Sequence, residues 1–225
     1  MKYTTLYFDL DNTLLDFSAA EAGAITRLLQ LYGINPKPEY VNIYSLTNKK
    51  YWERFERGEI KREDIFEGRF IEFAELIGVS VNTKKMSADY FSLLASGHDI
   101  IPGAVDVLAF AKNKGYVICA TTNGVSKTQH KRIKDSGLGK YFNYVFISED
   151  TGHQKPEKAY FDYVLENTPE KDRQKILIIG DSLSSDILGG KNCGIDTCWL
   201  NAENKKAVYS PTYEISSIKE LLCIL

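Results

Sequence analysis

Tyr3-Thr4-Thr5-Leu6-Tyr7-Phe8-Asp9-Leu10-Asp11, residues 3–11, carries the first decision about the fold. Its first six residues are β-branched, aromatic or apolar, the composition of a buried strand, and two carboxylates follow at the strand's end. Working outward, Ser18-Ala19-Ala20-Glu21 has the spacing of a capping box. Ile25, Leu28, Leu29 and Tyr32 then recur at helical intervals up to Gly33. Phe66, Phe70, Phe73 and Ile77 repeat the stripe before Gly78, and the stretches near 39–56 and 84–95 also predict helices. From Pro102-Gly103 onward helical patterns alternate with short apolar runs: Val117-Ile118-Cys119-Ala120, Val145-Phe146-Ile147 and Ile176-Leu177-Ile178-Ile179. That alternation predicts an α/β core with a parallel sheet covered by helices on both faces. A lone first strand followed by a helical block predicts an insertion, so the division expected is 1–14 and 99–225 for the core and 15–98 for a helical cap. The polar segment 201–211 is expected to be a loop.

Composition narrows the function classes. The chain has 225 residues, 44% of them hydrophobic and 26% charged, enough for a packed core with room for a second unit. A formal charge of -2 offers no footprint for a nucleic acid polymer. Cys119, Cys193, Cys198 and Cys223 lack the short paired spacing of a zinc site and the density of a disulfide scaffold, which suits reduced thiols in a cytoplasmic protein. No stretch approaches the roughly 20 apolar residues of a membrane-spanning helix, and the start of the chain does not read as an export signal. Oligomeric state is not legible.

In an open parallel sheet ligands bind beyond the carboxyl ends of the strands. The residues there are polar: Asp9 and Asp11 after the first run, Thr121, Thr122 and Asn123 after the second, and Gly180, Asp181 and Ser182 after Ile176–Ile179. Lys155, in His153-Gln154-Lys155-Pro156, precedes a helix expected to begin near Pro156. Along an extended strand Asp9 and Asp11 would face the same way, although a bend after Asp9 would change this. Crowded carboxylates repel unless a hard cation joins them, and magnesium (Mg2+), which takes one or two carboxylates together with a substrate phosphate, is the natural candidate, implicating Asp9 and Asp181. His98, His130 and His153 lack ligand-like spacing. A carboxylate nucleophile divides phosphate ester hydrolysis into two easier steps. Asp9 is placed to be that nucleophile, Asp11 to be the general acid and base, and Lys155 and Thr122 to offset charge on the transferring group.

These residues resemble those of the haloacid dehalogenase superfamily of hydrolases, and the likeness extends over essentially the whole chain. Asp9-Leu10-Asp11-Asn12-Thr13 is similar to the first motif, Thr122 to the second and Lys155 to the third. Gly180-Asp181-Ser182-Leu183-Ser184-Ser185-Asp186 is similar to the fourth. The resemblance implies a Rossmann-like fold with a helical cap between the first two motifs. It implies catalytic Asp9, Asp11 and Lys155, phosphate binding by Thr122, Asn123 and Lys155, and a metal shell of Asp9, Asp11, Asp181 and Asp186, the last directly or through water. A narrower likeness, to house-cleaning nucleoside 5'-monophosphate phosphatases, lies in Asn12-Thr13-Leu14-Leu15-Asp16-Phe17, Thr122-Asn123-Gly124 and the run 180–190, with Gly194–Asn201 adding to it. It implies a small phosphorylated metabolite, a pyrimidine or other small nucleotide, as substrate.

Each feature has a plainer explanation. An isolated Asp-x-Asp is often a turn, a lone Lys155 a surface lysine, Thr122 a cap or turn residue, and Asp186 the cap of the following helix. Tyr44, Tyr51, Trp52 and Phe55 could stack on a base, but aromatics at helical spacing more often form a core. Arg54, Arg57 and Lys61 suit a solvated face. It is the four motifs in order that favour chemistry. Alternatives on the same scaffold are a phosphomutase, another small-metabolite phosphatase, or a dehalogenase, which needs no metal. A signalling receiver domain also carries aspartyl phosphate, but it lacks a large helical insertion after the first strand.

Overall fold

In the computed structural model, which describes residues 2–225, strand β1 is Thr5–Phe8 and every residue of it is buried. The helices α1 (Phe17–Leu31), α2 (Pro38–Glu56), α3 (Arg62–Ile77) and α4 (Thr83–Leu94) follow. Then come α5 (Ala104–Asn113), β2 (Val117–Thr122), α6 (Ser126–Asp135), β3 (Tyr144–Ile147), α7 (Ser148–Thr151) and α8 (Lys158–Glu166). β4 (Ile176–Gly180), a π-type turn at Leu183–Ile187, α9 (Leu188–Cys193), β5 (Asp196–Leu200) and β6 (Tyr213–Ile215) complete the order. The six strands form one parallel sheet in the order β3-β2-β1-β4-β5-β6. This is the Rossmann-like α/β architecture expected from the alternating apolar runs.

Strand alternation divides the core into two layers. Leu6 and Phe8 of β1, with Ile118, Ala120, Leu177 and Ile179, join Val107 and Leu108 of α5 on one face. Tyr7, Cys119, Ile176 and Ile178 meet Tyr160, Phe161 and Val164 of α8 on the other. With both faces covered, the strands read as continuous apolar runs. The cysteines are free, and burial pushes the Cys119 and Cys198 thiols up to about 12.

The chain separates into two compact units, residues 1–16 with 99–225, and residues 17–98. Leu15 and Asp16, read with the insertion in the sequence, pack with the first unit: Leu15 bridges to Asp11 and Ile100, and the Asp16 amide donates to the Asp99 carbonyl at 2.8 Å. Helix α1 begins at Phe17, so Ser18 lies within the helix. The second unit has its own core, in which the Tyr44 ring lies 5.1 Å from those of Phe70 and Tyr90 and 5.3 Å from that of Phe73. Tyr44 is therefore a core residue. Arg57 is exposed and paired with Glu59, in keeping with a solvated face. The buried Glu21 carboxylate accepts from Asn48 Nδ2 at 2.6 Å, and Asn48 Oδ1 accepts from Arg69 at 2.5 Å.

Candidate active site

Order reversal in the sheet occurs at β1, flanked by β2 and β4, and this is where a crevice forms beyond the strand ends. The Asp9 amide extends the ladder by donating to the Ile179 carbonyl at 2.8 Å, which pins Asp9 to the end of β4. The chain then turns sharply: Asn12 adopts φ 56°, and the Leu10 carbonyl accepts from the amides of Leu14 and Leu15 at 2.9 and 2.8 Å. An asparagine tolerates that left-handed setting better than most side chains. The turn ends strand alternation, so Asp9 and Asp11 have different partners.

Asp9, Asp181 and Asp186 come together, each offering a carboxylate oxygen within 4.8 Å of the others. Lys155 is 1% exposed; its Nζ donates to Asp9 Oδ1 at 2.6 Å, to Asp186 Oδ1 at 2.7 Å and to the Thr121 carbonyl at 3.0 Å. Burial alone would lower the Lys155 pKa, but Asp186 and Asp9 hold it above the ordinary lysine value, so the ammonium is fixed. Burial raises Asp9 well above the usual carboxylate range, opposed by Lys155 and reinforced by the other acids. Asp181, half-buried, is pushed up to about 7, first by desolvation and then by repulsion from Asp186. Three carboxylates, two of them bonded to one buried ammonium, thus crowd a desolvated place, a donor set of hard oxygens that fits a divalent cation. None of the three histidines belongs to this cluster.

Asp186 combines two duties. Its Oδ2 accepts from the Ser182 amide at 3.2 Å, while Ser182 Oγ accepts from the Ser185 amide at 3.2 Å. Ser182 is therefore the cap of the turn, and Asp186, inside it, ties back to the Ser182 amide while forming a wall of the acid cluster. Asp181 is steadied by Trp199, whose indole N–H donates to the Asp181 carbonyl at 2.9 Å. Helix α8 starts at Lys158, two residues beyond the sequence expectation, and Lys155 is presented from the loop before it.

Two expected residues differ in what their side chains do. The Asn123 amide accepts from the Lys155 N–H at 2.9 Å and donates to the Lys155 carbonyl at 2.9 Å, so its side chain holds the lysine loop. The Asp11 carboxylate is absent from the three-acid cluster and is gripped by α6 instead: Oδ2 accepts from Gln129 Nε2 at 2.8 Å and Oδ1 from Arg132 Nη1. Thr122 lies alongside, its Oγ accepting from Gln129 Nε2 at 2.9 Å and from the Gly124 amide at 3.1 Å. In sequence Gln129 and Arg132 carried no signal, and Trp199 figured only within the run 194–201, with no role of its own. Gln129 and Arg132 sit three apart on α6, a spacing that by itself indicates only a shared helix face, and such polar pairs ordinarily face water.

A model of the haloacid dehalogenase-like hydrolases matches residues 6–200, spanning all four motifs. The chain belongs to that family. It is 41% identical over 226 residues to YfnB of Bacillus subtilis, covering 100% of this chain and 96% of that one. A crystal structure of YfnB bound to magnesium superposes with a TM-score of 0.94, covering 100% of this chain and 99% of that chain. The pyrimidine 5'-nucleotidase PynA of Streptococcus pneumoniae is 37% identical over 224 residues, 99% of this chain and 94% of PynA. The pyrimidine 5'-nucleotidase YjjG of Escherichia coli is 35% identical over 223 residues, 98% of this chain and 97% of YjjG. This haloacid dehalogenase-like hydrolase therefore has full-length relatives, and its acid cluster stands on the α/β scaffold they share.

Proposed function

We propose that this hydrolase is a magnesium-dependent phosphatase of small phosphomonoesters, with pyrimidine nucleoside 5'-monophosphates foremost, acting through a phosphoryl group carried on Asp9. The observation that supports it best is the buried Lys155 ammonium bonded to Asp9 and Asp186 with Asp181 beside them. A surface turn has no use for a desolvated cation bonded to two buried carboxylates, whereas phosphoryl transfer needs fixed charge of both signs. The substrate class is supported by PynA and YjjG, both named pyrimidine 5'-nucleotidases and both matched along nearly all of this chain. Free, largely buried thiols suit a reducing, cytoplasmic setting.

In the mechanism, an Asp9 carboxylate oxygen attacks phosphorus, the bond from phosphorus to the ester oxygen breaks, and a proton from the Asp11 carboxyl goes to the departing alkoxide. Asp11, now ionised, takes a proton from water as that water attacks the phosphoryl group, and the bond to Asp9 breaks to release inorganic phosphate. Lys155 stays protonated and neutralises charge on Asp9 and on the transferring oxygens. Both lone-pair directions of Thr122 Oγ are occupied by Gln129 and Gly124, so the hydroxyl hydrogen is left to donate to a phosphate oxygen. Asp9, Asp181 and Asp186 would hold magnesium, which would supply positive charge for the phosphoryl group and relieve repulsion among the acids.

The test is phosphate release from a panel of nucleoside monophosphates, sugar phosphates and other small phosphate esters with magnesium present. UMP, CMP and dTMP are expected to lead, and Asp9→Asn is expected to abolish turnover while the far-UV spectrum is kept. No release from any ester, or full activity in Asp9→Asn, would remove the reading. Sugar phosphates leading the panel would retain the chemistry and discard the nucleotide preference.

A further inference from the structure

Asp11 is reached by two side chains to which no role in the reaction has been given. Arg132 and Gln129 are each 1% exposed, whereas the Asp11 side chain they hold is 28% exposed. Arginine is almost never buried to this degree without a charged partner, and here the partner is the Asp11 carboxylate. Each carboxylate oxygen has its own donor, Arg132 on Oδ1 and Gln129 on Oδ2, which fixes the plane of the group. Arg132 Nη1 also donates to Gln129 Oε1 at 3.0 Å, so the two donors brace each other. The second Gln129 amide hydrogen goes to Thr122 Oγ, tying Asp11 and the Thr122 hydroxyl to one side chain. Gly124 makes room for it: a Cβ there would lie 2.5 Å from Gln129 Nε2.

We infer that Gln129 and Arg132 are positioning residues for the proton-transfer step, holding the Asp11 carboxyl in one plane and one place while its open side meets the leaving group, with Gln129 also aiming the Thr122 hydroxyl. This rests on the phosphatase reading of the site. Exposed carboxylates rotate freely about χ2, and an acid that must give a proton to one oxygen and later take one from water loses rate whenever it points elsewhere. The buried clamp removes that freedom without occupying the exposed side.

The experiment compares the first-turnover rate of leaving-group release at saturating ester, which precedes attack by water, for p-nitrophenyl phosphate, whose leaving group departs without help, and for phenyl phosphate, whose leaving group needs a proton. The comparison is made in the wild-type protein, Asp11→Asn, Arg132→Met, Arg132→Lys and Gln129→Leu. Arg132→Met and Gln129→Leu are expected to lower that first-turnover rate for phenyl phosphate about 10- to 100-fold while changing it for p-nitrophenyl phosphate by less than about 3-fold, with steady-state turnover slowed on both esters because water attack also uses Asp11. Arg132→Lys should recover part of the loss, and Asp11→Asn should show the same discrimination more strongly. Gln129→Leu should in addition raise KM for both esters. Because Arg132→Met strands Asp11 and could unfold the chain, the neutral Gln129→Leu, checked by far-UV circular dichroism, decides the matter in that event. Equal losses of first-turnover rate on the two esters, or none, would overturn the inference and leave the phosphatase reading intact. An Asp11→Asn protein blind to the leaving group would overturn the acid role and the clamp with it. Failure of the wild-type protein to cleave either ester would remove the reading on which both stand.

Discussion

Lys155 shows how much can rest on one side chain. Its ammonium is desolvated, and it touches two carboxylates that are themselves 9% and 0% exposed. Removing one partner of a buried ionic set leaves the others uncompensated, which costs more than the set contributes when whole. Lys155→Met is therefore expected to lower unfolding free energy by about 3–5 kcal/mol, read from urea melts, together with loss of turnover. A loss under about 1 kcal/mol would mean that the acids find another counter-charge. Asp196 offers a milder, pH-dependent case away from the site. Burial would raise its pKa, but hydrogen bonds from Lys2 and Tyr3, the latter at 2.7 Å, bring it below the ordinary carboxylate value. A carboxyl group depressed in the folded state stabilises above its unfolded pKa, near 4, and that gain is lost as pH falls through the folded value. Asp196→Asn should thus cost about 1 kcal/mol at pH 7, at the modest end because the group is partly solvated, and progressively less below about pH 4. Equal costs in urea melts at pH 7 and pH 3 would assign the effect to lost shape instead of charge. Residues at this scale were unevenly legible. Asp9, Lys155 and Asp181 were readable because strand ends and motif order locate them. The destination of the Asp11 carboxylate was not, because it depends on a left-handed turn at Asn12 and on a helix more than a hundred residues away. Gln129 and Arg132 look in sequence like a solvated helix face, and only the tertiary fold turns them inward.

At the scale of elements, helices and strands were legible wherever an apolar period ran cleanly, as in β1, β4 and α3. Starts of elements were harder: α1 begins one residue before the apparent cap, and α8 two residues after the proline that seemed to open it. Caps compete with neighbouring turns over hydrogen bonds that no local pattern ranks. The passage from β4 into the π-type turn is the element that bears most directly on the site. A Cβ on Gly180 would stand 2.1 Å from Asp186 Oδ2 and 2.8 Å from Asp186 Cβ, so the strand end has room for the buried acid only as glycine. Gly180→Ala is expected to cost about 1–3 kcal/mol through overpacking and to depress turnover by pushing Asp186 away from Lys155. Gly23, inside α1, has no neighbour within 4 Å of its would-be Cβ. Gly23→Ala should therefore stabilise the chain by about 0.5–1 kcal/mol, the helix-propensity gain. Thermal melts and kcat of the two proteins give the comparison. If Gly180→Ala is as benign as Gly23→Ala, Asp186 is not confined as its neighbours indicate.

For the whole molecule the telling fact is that each compact unit buries its own apolar core, while Asp9, Asp181 and Asp186 all belong to the first. Units with separate cores need not melt together, and a cation that binds only one folded unit stabilises that unit alone. The two tryptophans make this measurable, because Trp52 belongs to the second unit and Trp199 to the first, where its indole touches the Asp181 carbonyl. In a Trp52→Phe protein, fluorescence reports the first unit while far-UV circular dichroism also reports the helices α1 to α4. Saturating magnesium, at about 100 times its dissociation constant, should add about 2.7 kcal/mol to the first unit. The fluorescence midpoint in urea should therefore rise, with a helical phase of the dichroism left where it was. Asp181→Asn should remove the rise. A rise shared equally by both signals would make the chain one cooperative block, and no rise at all would deny the acid cluster its cation. The cluster was legible as an acidic set in sequence, but its confinement to one separately packed unit was not. Confinement depends on which residues close each core, and apolar periodicity alone does not say which periods pack together.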